Sequence, residues 1–259
     1  MTDLITTLTA LSGQTEIWLW SAFLVFCRVG AVMALMPGFG EQFVPSRIRL
    51  VLTLAFTAVI GPAILPQIRP SDGAFILPIA VEVAAGLTLG LGLRLFVMAL
   101  QMAGMIMAQA TSLAQLFGGM GPEPQPAIGN LMVAGGLALA VMSGLHVRAA
   151  ELMILSYTIL PPGRLPSSAD MADWGLSEIA RAFSLAFMLA APFTIAALIY
   201  NVAIGVINRA MPQLMVSFVG APALTFGGLL LLAIVAPLAL AFWLTEFNAF
   251  LGNPFLVRP

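Results

Sequence analysis

Long apolar runs broken by short polar, Gly- and Pro-rich turns dominate the chain. The first run extends from Ile17 to Met36 and stops at Pro37-Gly38; a second follows the polar turn Gly38–Arg49 and ends near Leu65. Pro66, Pro70 and Gly73 punctuate the next turn. Phe75 to about Leu116 is almost continuously apolar, too long for one ordinary membrane span. It predicts a span to about Leu100 that continues into a segment made more polar by Gln101, Gln109, Thr111 and Ser112. Phe117–Pro126 is the densest Gly/Pro cluster, and its three prolines exclude helix. Ala127–Leu145 resumes as a span, Glu151–Leu160 is a shorter apolar stretch, and Pro161–Glu178 is the longest polar connection. Two further spans, about 179–207 and 223–247, each interrupted by a proline (Pro192, Pro237), flank a turn containing Asn208, Arg209, Pro212 and Gln213. The pattern predicts an all-α, polytopic membrane helical bundle of about six spans with Pro-kinked helical hairpins.

Composition agrees. The 259 residues are 61% hydrophobic and 8% charged, with a mean hydropathy of +1.05, against about 25% charged in soluble domains. Ten cations and eleven acids cannot cover a water-facing surface on a chain of this size. All ten cations are arginines and no basic patch exists, so nucleic-acid binding has no electrostatic footing. One cysteine, Cys27, and one histidine, His146, make neither a disulfide nor a metal cluster and read as packing residues. Nothing resembles a nucleophile–base pair, a phosphate loop or a cofactor motif, so no enzymatic role and no catalytic, cofactor or metal site is expected. No basic stretch precedes the first run, so residues 1–16 read as an uncleaved polar arm rather than a signal peptide. Arg47, Arg49 and Arg209 place their turns on the cytoplasmic side by the positive-inside rule, which puts both termini outside.

Charges inside spans are costly and must face protein or water. Arg28 and Glu82 lie inside spans and Arg94 near the end of one. Two readings stand: a proton or ion relay, or a buried pair that supports an assembly, and the isolation of Glu82 favours the second. Glu82, Gly86 and Gly90 share one helix face at four-residue spacing, a small-xxx-small strip for close helix packing. Gly135-Gly136 and Gly227-Gly228 offer similar flat surfaces. Met98, Met102 and Met105 form a stripe that reads as core filling, with a compliant seal around a passage as the sharper alternative.

Several blocks in order carry a resemblance. They are Phe26-Cys-Arg-Val-Gly30; Met36-Pro-Gly-Phe-Gly40 with Val44-Pro-Ser-Arg-Ile-Arg49; Glu82-Val-Ala-Ala-Gly86 with Gly90; Gln101-Met-Ala-Gly104; Ser143-Gly-Leu-His146 with Ser156-Tyr-Thr-Ile-Leu-Pro161; and Asn201–Pro222, containing Asn208-Arg-Ala-Met-Pro-Gln-Leu214 and Gly220-Ala-Pro222. Together they resemble the flagellar biosynthetic protein FliR family from about residue 20 to about 245. The resemblance implies a structural, channel-forming subunit of the flagellar type III protein export gate in the bacterial inner membrane, at the flagellar basal body. It further implies assembly with FliP-like and FliQ-like subunits into a hetero-oligomeric spiral, an FlhB-like switch subunit on the cytoplasmic side, and exported flagellar proteins as transient cargo. Residues 1–165 would be P-subunit-like and 166–259 a Q-subunit-like hairpin. The family's channel plug matches 110–126 by position, with Leu113, Leu116, Phe117, Gly118, Gly119, Met120, Gly121 and Pro122 as its residues. An Asp-Pro common near this loop is here Gly121-Pro122, which leaves steric occlusion as its means of closure. Family cores stand largely raised out of the bilayer, so partners across subunits would pair Arg28 and Glu82. The competing readings are the homologous T subunit of a virulence secretion system and a small-solute secondary transporter, which would need two inverted halves with matching broken helices.

Overall fold

The computed structural model describes residues 2–41, 44–68, 75–111, 127–164, 167–211 and 216–255, with backbone alone for 2–14, 16, 67 and 216–223. Every regular element among them is helical: α1 (Thr2–Leu35), α2 (Ser46–Ile64), a 3-10 turn Leu65–Gln67, α3 (Ile76–Thr111), α4 (Ala127–Met142), α5 (Leu145–Ile159), α6 (Ser168–Ala210) and α7 (Val216–Gly252). Five of these are long and apolar enough to cross a membrane, or up to six when α4 and α5, bent by 76°, count as one span. The expected helical membrane bundle is therefore present.

Four expectations about individual segments change. The 75–116 run is one 36-residue helix to Thr111 rather than a span ending near Leu100. The polar connection is shorter than Pro161–Glu178, because α6 begins at Ser168: the Ser167 hydroxyl accepts the Asp170 N–H at 3.2 Å, and an acid stands in the first turn. The helix also continues on both sides of Pro192 and Pro237. The proposed polar arm is helical from Thr2.

Five threonines inside these apolar helices are satisfied locally. Thr53, Thr57, Thr88, Thr194 and Thr245 each donate to the carbonyl four residues back, at 2.7–3.3 Å. Such back-bonding lets threonine face an apolar medium without an orphan hydroxyl.

Two compact units form. The first comprises residues 1–94, 144–176 and 249–259. There α2 packs on both α1 and α5, over a core including Val29, Met33, Ile60, Leu89 and Leu152. The second comprises 95–143 and 177–248. Its core centres on Trp243, which stacks on Phe247 at 5.0 Å and donates its indole N–H to the Phe96 carbonyl at 2.9 Å. Both Trp243 and Phe247 are fully buried. Trp243→Phe will keep the stacking and lose that bond, costing about 1 kcal/mol. The expected change is a fall of about 2–4 °C in the melting temperature of the purified protein; an unchanged melting curve would show the bond to be dispensable.

Candidate functional site

Arg28 on α1, Glu82 on α3 and Ser156 on α5 meet in the interior of the first unit, each fully buried. Arg28 Nε donates to Glu82 Oε2 at 2.7 Å and Nη2 to Oε1 at 3.2 Å, a fork that matches carboxylate geometry. Nη1 donates to Ser156 Oγ at 3.2 Å, and Nη2 also reaches the Leu160 carbonyl at 3.0 Å. The Ser156 hydroxyl in turn donates to the Met153 carbonyl at 2.6 Å. The Tyr157 ring covers the guanidinium, 3.7 Å from its centroid. Glu82 Oε1 accepts in addition the Gly163 N–H at 3.4 Å.

This geometry has two consequences. The two charges neutralise each other inside one chain, so no sister subunit is required to pair them; the expectation of pairing across subunits is corrected. The pair also binds both ends of the turn Leu160–Gly163, through the Leu160 carbonyl and the Gly163 N–H, and so secures the start of the α5–α6 connection against α1 and α3. Gly163 occupies the left-handed region at φ 72°, open to glycine.

Gly86 and Gly90 lie beside Glu82 on the α3 face that touches α1. A Cβ at Gly86 would collide with the Arg28 carbonyl and sit 2.7 Å from Ala31 Cβ; one at Gly90 would lie 2.9 Å from Leu35 Cβ and 3.2 Å from the Val32 carbonyl. Backbone contact at this range brings the Arg28 and Glu82 stems close enough for a direct salt bridge.

A second pair stands where the Gly38–Arg49 turn meets α3. Arg94 Nη1 binds Glu41 Oε1 at 2.6 Å, while Arg49 Nη2 donates to the carbonyls of Glu41 and Val44 at 3.2 and 3.4 Å. Gly38 adopts φ 80°, and a Cβ at Gly40 would press on the Ala34 carbonyl at 2.5 Å. The Pro-Gly-Phe-Gly-Glu motif thus builds a tight turn whose glutamate meets Arg94. Sequence reasoning marked Arg94 and the turn but did not join them.

In the second unit Gly104 of α3 meets Gly129 of α4 so closely that a Cβ on Gly104 would be 2.8 Å from the Gly129 nitrogen. Gly136 lies under Leu100 and Trp243, Gly135 against Leu240 (2.9 Å for an added Cβ), and Gly228 against Thr111 (2.6 Å). Gly227 has no such neighbour. Arg181 binds Glu246 at 2.8 Å and Glu178 at 3.7 Å, on the face of Phe96. Neither the Gly104–Gly129 crossing nor this acid–Arg–acid group was read from the sequence. The four-residue spacing of Gly104 from Leu100, and the single Glu178-x-x-Arg181 step, are the only local hints.

The methionine stripe is corrected. Met98 and Met105 are 42% and 40% exposed and point away from the core of the chain, so they do not fill it. Ala110 and Thr111, expected to open the loop, instead end α3, where they line a cavity of about 230 Å3 with Phe193, Tyr200 and Gly228. The loop residues Leu113, Leu116, Phe117, Gly118, Gly119, Met120, Gly121 and Pro122 lie outside the described residues, as do Pro212 and Gln213. Asn208 and Arg209 are exposed in the last turn of α6, where the cation faces the negative end of the helix. His146 is exposed and Cys27 half-buried. Among the described residues no group of acids, histidine and cysteine is placed to hold a metal ion.

Comparison with known proteins adds the lineage. The chain matches the family described as bacterial export proteins, family 1, over residues 19–250. It is 34% identical over 225 residues to the flagellar biosynthetic protein FliR of Caulobacter vibrioides, covering 85% of this chain and 90% of that protein. It is 28% identical to the proteins of that name from Escherichia coli and Aquifex aeolicus, over 89% and 86% of this chain and 90% and 88% of theirs. The matched region contains the Arg28–Glu82 cluster and both glycine crossings, and it covers all or nearly all of each helix among the described residues that is long and apolar enough to span a bilayer. The protein is a membrane protein, and it belongs to the bacterial export proteins, family 1.

Proposed function

We propose that the chain is a structural, channel-forming subunit of the flagellar type III protein export gate in the bacterial inner membrane. It helps form and gate the conduit for unfolded flagellar proteins, and it performs no catalysis. The observation that carries this reading is the near full-length match to an export family whose relatives are flagellar biosynthetic proteins. The internal chemistry agrees with it: buried charges are paired with each other and hydrogen-bonded to backbone, an arrangement that holds helices in place.

In this reading residues 1–165 form the P-subunit-like part and 166–259 the Q-subunit-like hairpin. FliP-like and FliQ-like subunits complete the spiral, an FlhB-like subunit joins it, and exported flagellar proteins pass through as cargo. The outward-facing Met98 and Met105 supply compliant surface for such packing. The segment 112–126, joining α3 to α4, closes the channel at rest. Its glycines Gly118, Gly119 and Gly121 permit backbone shapes closed to other residues, and Pro122, Pro124 and Pro126 oppose its collapse into helix.

A mild-detergent pull-down through a tag on this chain tests the assembly: co-purification of P-like and Q-like membrane subunits is expected, and recovery of a lone monomer or homodimer would overturn the reading. The plug is tested on the assembled complex. Deleting Gly118–Gln125 leaves assembly intact and produces steady ion conductance in planar bilayers, whereas an assembled deletion mutant with unchanged conductance would remove the plug from the account.

A further inference from the structure

We propose that the cavity between α3, α6 and α7 in the second unit is a binding site for one acyl chain of a phospholipid. The sequence itself makes the space. Ala196 and Ala197 on α6 and Gly227 and Gly228 on α7 carry little or no side chain where these helices line the cavity, and Thr111 ends α3 against Gly228. The fully buried Phe193 forms part of the wall. What remains is a volume of about 230 Å3. An apolar cavity of about 150 Å3 takes up benzene and stays dry, so this one accepts a stretch of roughly eight or nine chain carbons. Left empty, its walls would forgo dispersion contacts. Water is a poor filler, since it needs two to four polar partners. Thr111 already donates its hydroxyl proton to the carbonyls of Met107 and Ala108, at 3.0 and 3.1 Å. Tyr200 is the one other polar side chain in the lining among the described residues.

The surroundings of the cavity identify the occupant as lipid. Of the lining residues, Ala196 and Gly227 are the exposed ones and mark the mouth. Beside them in their helices stand the exposed Ile195, Ile199, Phe226 and Leu230. Both helices are long and apolar enough to cross a membrane. No charge interrupts α6 from Ala182 to Asn208, or α7 from Val216 to Thr245. Along α6, Phe193 lies about 18 Å from Arg181 and Tyr200 about 14 Å from Arg209, at about 1.5 Å per residue. The cavity thus opens midway along a charge-free zone, and its mouth is continuous with the outer apolar face of the two helices. A charged or strongly polar ligand would have to cross that zone unpaired, whereas an acyl chain beside the helices enters without losing any hydrogen bond. The assignment makes no use of the export reading, and its test reads no export.

The test is photo-crosslinking of the full chain, with whatever subunits co-purify with it, in nanodiscs of phosphatidylcholine that carries a diazirine near the end of one acyl chain. Crosslinked residues are mapped by mass spectrometry. Lipid that merely touches the outer face labels Leu198 and Leu229, which are 65% and 61% exposed; a chain inside the cavity also labels Phe193, which is 1% exposed. Labelling of Phe193 at a level comparable to that of Leu198 is the expected result. Ala196→Leu places a larger side chain at the exposed mouth and should lower Phe193 labelling at least about fivefold, since a plugged entrance leaves no void to fill, while Leu198 and Leu229 label as before. Ala197→Phe, which fills the cavity itself, should do the same. Labelling confined to the outer face would overturn the proposal. So would Phe193 labelling seen in the lone chain and lost when other subunits are bound, because a protein side chain would then be the occupant. Should both variants fail to insert, the ratio of Phe193 to Leu198 labelling in the unaltered chain decides alone.

Discussion

Glu82→Gln will destabilise the chain more than any other isosteric change in its first unit. The substitution keeps the shape and removes the charge, so the Arg28 guanidinium stays buried with no counter-ion while Ser156 and the Leu160 carbonyl still hold it. Breaking one side of a buried pair costs about 3–5 kcal/mol. The loss spreads to the Leu160–Gly163 turn, because Glu82 Oε1 also receives the Gly163 N–H. Thermal unfolding in mild detergent, read by a thiol-reactive dye, will report it through Cys27, the single cysteine of the chain. Arg28→Met combined with Glu82→Leu should recover most of the loss, since apolar side chains of similar volume carry no desolvation penalty. A Glu82→Gln protein as stable as the parent would mean that the pair is not what holds α1, α3 and α5 together. If stability were kept and only transport lost its coupling to the proton gradient, the relay reading of Glu82 would replace the structural one.

Gly86→Leu will separate α1 from α3. The new Cβ meets the Arg28 carbonyl and Ala31 Cβ, atoms fixed to the α1 backbone that cannot rotate aside. Overpacking of this kind costs about 1–3 kcal/mol and occasionally more. Here it acts on the same turn of α1 that carries Arg28, so the salt bridge lengthens as the helices part. Gly90→Leu meets Leu35 Cβ and the Val32 carbonyl one turn further on and should behave alike. Gly205→Ala is the control. It lies in α6 with nothing near its added Cβ, and replacing a helical glycine by alanine there should stabilise by up to about 1 kcal/mol. Normal melting and normal yield of Gly86→Leu would show that the α1–α3 contact tolerates separation.

The two substitutions probe one design from opposite directions. Small residues let two backbones approach, and the approach allows an arginine and a glutamate from different helices to form a forked pair. In an apolar surrounding, each element depends on the other: charges without close packing would be stranded, and close packing without the pair would leave the α5–α6 connection untied. The same logic recurs in weaker form at the Glu41–Arg94 bridge. There, glycines at 38 and 40 fold the turn tightly enough to present a glutamate to α3.

Sequence alone was sufficient for the class of the protein, because the cost of placing polar backbone and charge in hydrocarbon acts on every residue of a span and leaves an additive, local signature. It was sufficient also for the Glu82-Gly86-Gly90 face, since helical periodicity converts four-residue spacing directly into a shared surface. Helix ends were harder. α6 starts about ten residues before the apolar run that suggested it, because a Ser167 cap and an early acid suit a helix start in polar surroundings that hydropathy cannot register. The direction of the methionine stripe was not legible either: periodicity places Met98 and Met105 on one face without saying whether that face turns in or out. Partnerships between distant segments belonged to the tertiary structure entirely. Arg28 meets Glu82 across 54 positions and Ser156 across 128, and Trp243 meets the Phe96 carbonyl across 147. Such contacts are set by which helix crosses which, and at what distance, so only the packed bundle could decide that the buried charges satisfy each other within a single chain.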